Sequence, residues 1–116
     1  MRSRPLGLGG PIRVLLLQAR LDDDPAAADE VASFAARSDG RATFETHSLL
    51  NGPPDFARVE EFDCLMVGGS GDFYVSRRDL PQFEATLALF RRVAEGGFPM
   101  FASCFGFQCL VAALGG

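Results

Sequence analysis

The run Phe101-Ala102-Ser103-Cys104-Phe105-Gly106-Phe107-Gln108 puts a cysteine where a short apolar stretch gives way to a helical pattern. A residue on a tight strand-to-helix turn is pushed out above a sheet with its side chain exposed, as in the nucleophile elbow of serine hydrolases. Such a turn needs small neighbours, and here Ala102 stands two before Cys104 and Gly106 two after. A thiol in that place faces the N-terminus of the following helix, whose partial positive charge favours thiolate over thiol. The N–H of Phe105, one residue on, points toward where an oxyanion would form. A second donor is expected from Gly68-Gly69, at the head of Gly68-Gly69-Ser70-Gly71, because a backbone without a Cβ can turn its N–H into a site. By itself that stretch reads as a tight turn. Beside Cys104, at the same edge of a sheet, it reads as part of a site for attack on a carbonyl carbon.

The elements that must hold these residues alternate. Ile12 to Gln18 is a nearly continuous aliphatic run, the pattern of a strand buried on both faces. Asp24-Pro25 starts a helix over about Ala26 to Arg37, with Val31, Phe34 and Ala35 on one face and Ala27 and Ala28 a turn earlier. Arg41 to Leu49 alternates around Phe44 and His47 as a second strand, and Asn51-Gly52-Pro53-Pro54 is a loop. Phe62 to Val67 is a third strand, ending in the glycine turn. A helix capped near Asp79, with Pro81 in its first turn, buries Phe83, Leu87, Phe90 and Val93 or Ala94, and Gly96-Gly97 ends it. Phe98 to Ala102 is a fourth strand, and the chain turns helical again from Phe105. This order predicts an α/β fold: a parallel sheet with helices on both faces, whose sites form at the carboxyl ends of the strands.

Bulk properties narrow the function. The 116 residues fit one small domain or a piece of a larger one, 47% are apolar, and 11 phenylalanines suffice for a core. A formal net charge of −4 disfavours a nucleic-acid or anionic-membrane surface. No apolar run approaches the roughly 20 residues of a bilayer span, and no signal-peptide core follows Met1, which points to the cytoplasm. Residues 1–11 read as a loose tail whose glycines precede a strand, so they are no dinucleotide fingerprint, and no cofactor is expected. Cys64, Cys104 and Cys109 form no disulfide framework, and with His47 the only histidine a zinc site is not expected. Cys64 and Cys109 read as small buried apolar residues. His47 reads as structural or surface, and the Asp22-Asp23-Asp24 cluster as a solvated loop and cap.

Cys104-Phe105-Gly106-Phe107-Gln108, followed by Leu114-Gly115-Gly116, resembles the nucleophile segment of class I glutamine amidotransferases, G-x-C-x-G-x-Q with a helix ending in L-G-G. Leu65-Met66-Val67-Gly68-Gly69-Ser70 is similar to that family's oxyanion strand. In flavour the chain is nearest to stand-alone proteins similar to the amidotransferase domain of GMP synthase. The resemblance spans Ile12 to Gly116 and covers the N-terminal half of the family's domain. It implies a flavodoxin-like sheet with the first strand inside and the second at an edge. It also implies glutamine as substrate: Cys104 would attack the carboxamide, form a γ-glutamyl thioester and release ammonia to a synthetase domain or subunit. Gly69 and Phe105 would hold the oxyanion, while Gly68, Ser70, Gly106 and Gln108 would line the glutamine pocket.

Three departures accompany the resemblance. Ala102 replaces a glycine, Phe107 stands where histidine is common, and the family's later H-x-E histidine and glutamate lie beyond Gly116. The expectation is therefore the front half of a Cys-His-Glu enzyme, inactive by itself because the thiol lacks its base, with an uncovered sheet edge beside the fourth strand. Two alternatives stand beside it. One is another cysteine-elbow hydrolase of the same superfamily, acting on γ-glutamyl compounds or peptides. The other is a non-catalytic binding module. Purified residues 1–116 are expected to release no ammonia from glutamine; steady release that disappears in Cys104→Ala would contradict this.

Overall fold

The structure, a computed structural model, describes residues 10–21, 23–70, 78–102 and 105–115, with only the backbone of Ser70. Most of the expected tail, residues 1–9, lies outside the described residues. Four strands form one all-parallel sheet in the order β2-β1-β3-β4: β1 Ile12–Ala19, β2 Ala42–Ser48, β3 Cys64–Ser70 and β4 Met100–Ala102. The helices are α1 Pro25–Ser38, the short α2 Phe56–Val59, α3 Phe83–Glu95 and α4 Phe105–Ala113. This is an α/β fold with β1 inside and β2 at an edge, compatible with a flavodoxin-like arrangement.

The local causes are plain in the sequence. From Val14 to Ala19, β1 is buried without a break, as its aliphatic run requires of a central parallel strand. Asp24 caps α1 by accepting the Ala26 N–H on Oδ1 at 2.9 Å, and Pro25 opens the helix. In α3 the residues Phe83, Leu87, Phe90 and Val93 are all buried, and Thr86 and Leu89 widen the stripe. Consecutive residues of β3 show that helices lie on both faces of the sheet. Gly68 meets Glu30 of α1, whereas Val67 meets Gly106 of α4, and neighbouring strand residues point to opposite faces.

Several boundaries differ from the sequence reading. The third strand starts at Cys64 and continues through Gly68 and Gly69 to Ser70, so these glycines extend the strand. α3 begins at Phe83, after a turn that contains Pro81; its N-cap, Gln82, is left-handed at φ 55° and makes no side-chain cap. β4 covers only Met100–Ala102. The apolar stripe of α1 is only partly covered: Val31 and Phe34 are half-buried and Ala35 is exposed, because α1 lies over the β2 edge of the sheet. Phe34 stacks there on Phe44 with ring centroids 6.2 Å apart.

Two contacts tie the ends of elements together. Arg91 Nε donates to the Ala113 carbonyl at 2.8 Å, fastening the last turn of α4 to α3. At the start of the sheet, Asp63 and Arg13 pair in both directions. The Asp63 N–H donates to the Arg13 carbonyl, and the Arg13 N–H donates to Asp63 Oδ2, each at 2.8 Å. The Asp63 carboxylate thus takes the place of a backbone carbonyl one step before the β1–β3 ladder begins. On the far side of β4, no strand pairs among the described residues, and Phe101 is 66% exposed. No helix among the described residues is long and apolar enough to cross a membrane.

Asp63→Ala leaves the Arg13 N–H without its acceptor and is expected to lower the unfolding free energy by about 1–3 kcal/mol. Asp63→Asn, which retains an acceptor oxygen, should lose less. Urea unfolding of both variants checks the ranking.

Candidate functional site

The carboxyl ends of β3 and β4 lie side by side at one edge of the sheet, where Gly68, Gly69 and the start of α4 at Phe105 are found. Cys104 and Ser103 lie outside the described residues, in the two-residue connection between the end of β4 and the start of α4. The flanking elements have the order an elbow needs, strand and then helix with two residues between. Phe105 is buried and opens α4, where the first N–H groups of a helix have no partner within it. Gly71 also lies outside the described residues.

Gly106 has a definite packing role. A Cβ built on it would come within 2.7 Å of Val67 Cβ, Cγ1 and carbonyl oxygen. The first turn of α4 therefore presses directly against the backbone of β3, an approach that only glycine permits. Gln108, expected in the glutamine pocket, is exposed on α4, as is Phe107.

The glycine stretch of β3 is a bulge. Leu17 pairs with Val67 and Ala19 with Ser70, so Gly68 and Gly69 together oppose the single residue Gln18. A bulge removes a residue from the ladder and re-aims its backbone groups, and bulges recur beside active sites. Here the Gly69 N–H, expected as an oxyanion donor, donates to Glu30 Oε2 at 3.0 Å. Glu30 reaches the strand from α1 and comes so close that a Cβ on Gly68 would lie 2.4 Å from both carboxylate oxygens. Gly68 is thus the residue that leaves room for a carboxylate against the strand.

Sequence reasoning missed Glu30 and its company. Gln18, 8% exposed at the end of β1, donates from Nε2 to Glu30 Oε1 at 3.2 Å and to the Ala27 carbonyl at 2.8 Å. Arg20 sets one guanidinium nitrogen 3.6 Å from Glu30 Oε2 and the other 3.6 Å from Asp24 Oδ2. Its Nε is buried without a hydrogen-bond partner. The available signal was Gln18, a polar residue at the end of an otherwise aliphatic strand. Nothing local distinguishes Glu30 from a solvated helix residue.

The other candidates fall away from this edge. His47 Nε2 lies 2.9 Å from the Gly52 carbonyl, to which an Nε2–H would donate. It sits on β2, three strand spacings from β4, or about 14 Å, too far to act as base at the β4–α4 connection. No group of three or more potential metal ligands occurs among the described residues. A groove of about 280 Å³ between α3 and α4 is lined by Arg78, Glu84, Leu87 and Arg91 and includes none of the residues at the bulge. Cys64 is half-buried, and its thiol donates to the Leu65 carbonyl at 3.5 Å. Cys109 is fully buried, and burial pushes its thiol up to about 12, so it is a protonated packing residue at neutral pH.

No family model matches this chain, and no match is found among curated proteins or solved structures.

The raised thiol of Cys109 makes stability fall with pH. The unfolded thiol ionises from about pH 9 while the folded one holds its proton to about 12, so alkali favours the unfolded chain. Cys109→Ala is expected to flatten the loss of stability between pH 9 and 12, measured by denaturant unfolding at several pH values. An unchanged slope would contradict the assignment.

Proposed function

We propose that this chain carries the nucleophile half of a glutamine amidotransferase, with Cys104 attacking the side-chain carboxamide of glutamine. The sulfur adds to the carboxamide carbon to give a tetrahedral oxyanion, and its collapse re-forms the carbonyl and breaks the carbon–nitrogen bond. Ammonia departs with a proton from a general acid, and water later hydrolyses the γ-glutamyl thioester. The Phe105 and Gly69 N–H groups would hold the oxyanion, and a synthetase domain or subunit would consume the ammonia. A histidine outside this sequence, oriented by a glutamate, would take the thiol proton and return it to the leaving ammonia, since His47 is committed to the Gly52 carbonyl at the opposite edge of the sheet.

The observation that carries this reading is the packing around the β4–α4 connection. Two residues, Ser103 and Cys104, join a strand to a helix whose second residue must be glycine to clear β3, and the bulged glycines of β3 end at the same sheet edge. That is the framework a strained, exposed nucleophile requires. The commitment of the Gly69 N–H to Glu30 favours a second reading, a fold retained for binding without catalysis.

Alkylation separates the two readings. A chloroketone analogue of glutamine is expected to label Cys104 at least tenfold faster than Cys64 or Cys109, with free glutamine protecting it. Peptide mapping by mass spectrometry reads the sites. Equal labelling of Cys104 and Cys64, indifferent to glutamine, would remove the enzyme reading. Protection by γ-glutamyl peptides and not by glutamine would move it to a γ-glutamyl hydrolase.

A further inference from the structure

The bulge between β1 and β3 leaves one backbone donor without a ladder partner, and the protein supplies an anion of its own to fill the place. We infer that Glu30 is an internal latch: its carboxylate occupies the Gly69 N–H in the resting protein and must leave for that N–H to receive a substrate oxyanion. This rests on the proposed function, since only there is Gly69 asked to stabilise an oxyanion.

Three observations support a latch over a fixed strut. Glu30 Oε2 takes the Gly69 N–H at 3.0 Å, and a carboxylate oxygen on a backbone donor is the ground-state counterpart of an oxyanion in the same position. A donor already satisfied by an anion cannot contribute to a second one. Gly68 contributes no Cβ, so the strand itself sets no side chain against the carboxylate, and among the described residues only the Gln18 and Arg20 side chains hold it there. Finally, a second resting place is within reach. The Arg20 guanidinium lies 3.6 Å from the same oxygen, and its Nε is buried with an unused donor. A change of Glu30 side-chain torsion toward Arg20 would trade one charge-assisted hydrogen bond for another, leaving Gln18 free to follow it or to remain on the Ala27 carbonyl.

The test compares two reagents on Cys104. A chloroketone analogue of glutamine reacts through a tetrahedral oxyanion: the thiolate adds to the carbonyl carbon, then the sulfur moves from that carbon to the neighbouring methylene carbon, so that the carbonyl re-forms and chloride leaves. Iodoacetamide is displaced directly, with loss of iodide and no oxyanion. The ratio of the two rates therefore reads the oxyanion donors and cancels changes in thiol exposure. In Glu30→Ala the ratio is expected to rise about tenfold or more, as one recovered donor allows. In Glu30→Gln, whose amide oxygen still accepts from Gly69, it should stay near the wild-type value. A ratio that falls in Glu30→Ala would make Glu30 a positioning residue and overturn the latch, as would an unchanged ratio. If Glu30→Ala does not fold, the wild-type protein decides. With carboxyl-labelled glutamate, the Glu30 carbon resonance should shift in the chloroketone adduct and not in the iodoacetamide adduct, and equal behaviour in both overturns the proposal. Absence of any glutamine-protected reaction at Cys104 removes the function reading and the latch together, whereas protected reaction with an unaltered ratio removes the latch alone.

Discussion

The carboxyl end of β3 has no space for a side chain at two successive contacts, and the architecture of the sheet edge depends on that. On one face, Glu30 of α1 lies where a Gly68 Cβ would be; on the other, Val67 lies where a Gly106 Cβ would be. Helices on opposite sides of the sheet thus approach the same stretch of backbone. The approach from α4 fixes where the helix after Cys104 can begin. The approach from α1 fixes what the bulged N–H of Gly69 meets. Larger residues at either glycine would lift a helix or a charged side chain away from the strand, and in interiors packed as densely as organic crystals such displacements spread.

The charges around the bulge form a half-buried set. Arg20 and Glu30 keep 16% and 12% of their side-chain surface, and Asp24 keeps 20%. Ion pairs at this depth lose much of their hydration, and their mutual attraction repays that loss only when the remaining polar atoms find partners. Glu30 does find them, in Gly69 and Gln18, and Asp24 finds the start of α1. Arg20 does so only in part, since Nε is unpaired. The group is therefore better satisfied on its acidic side than on its basic side, an imbalance more suited to exchange of partners than to a rigid brace.

The sequence is most informative where burial alone decides. The unbroken aliphatic run of β1 and the Phe83, Leu87, Phe90, Val93 stripe of α3 announce a central strand and a packed helix, and both are observed. The alternation of elements was enough for a parallel α/β sheet. It was less informative where a glycine had two uses. Gly68 and Gly69 read as a turn because glycine usually marks one, yet both continue β3, and at Gly68 the Glu30 carboxylate requires bare backbone. Gly106 could be placed on the turn after Cys104, but its contact with Val67 depends on tertiary approach that no spacing encodes. Glu30 was hidden for the same reason: 39 residues separate it from Gly69, and by helical pattern it is an ordinary surface acid. The weak cover over α1 was equally invisible, since an amphipathic stripe tells which face turns inward and not how wide the sheet beneath it is.

The fastening of α4 at both ends has a mechanical consequence. Near its start, Gly106 rests on β3; at its finish, the Ala113 carbonyl is held by Arg91 of α3. A rod clamped at two points transmits force along its length and does not bend to absorb it. A push on the β4–α4 connection is therefore carried to α3, whose buried stripe is continuous with the core. The helix behaves as a lever seated in the core, and the start of α4 and the packing of α3 are parts of a single linkage.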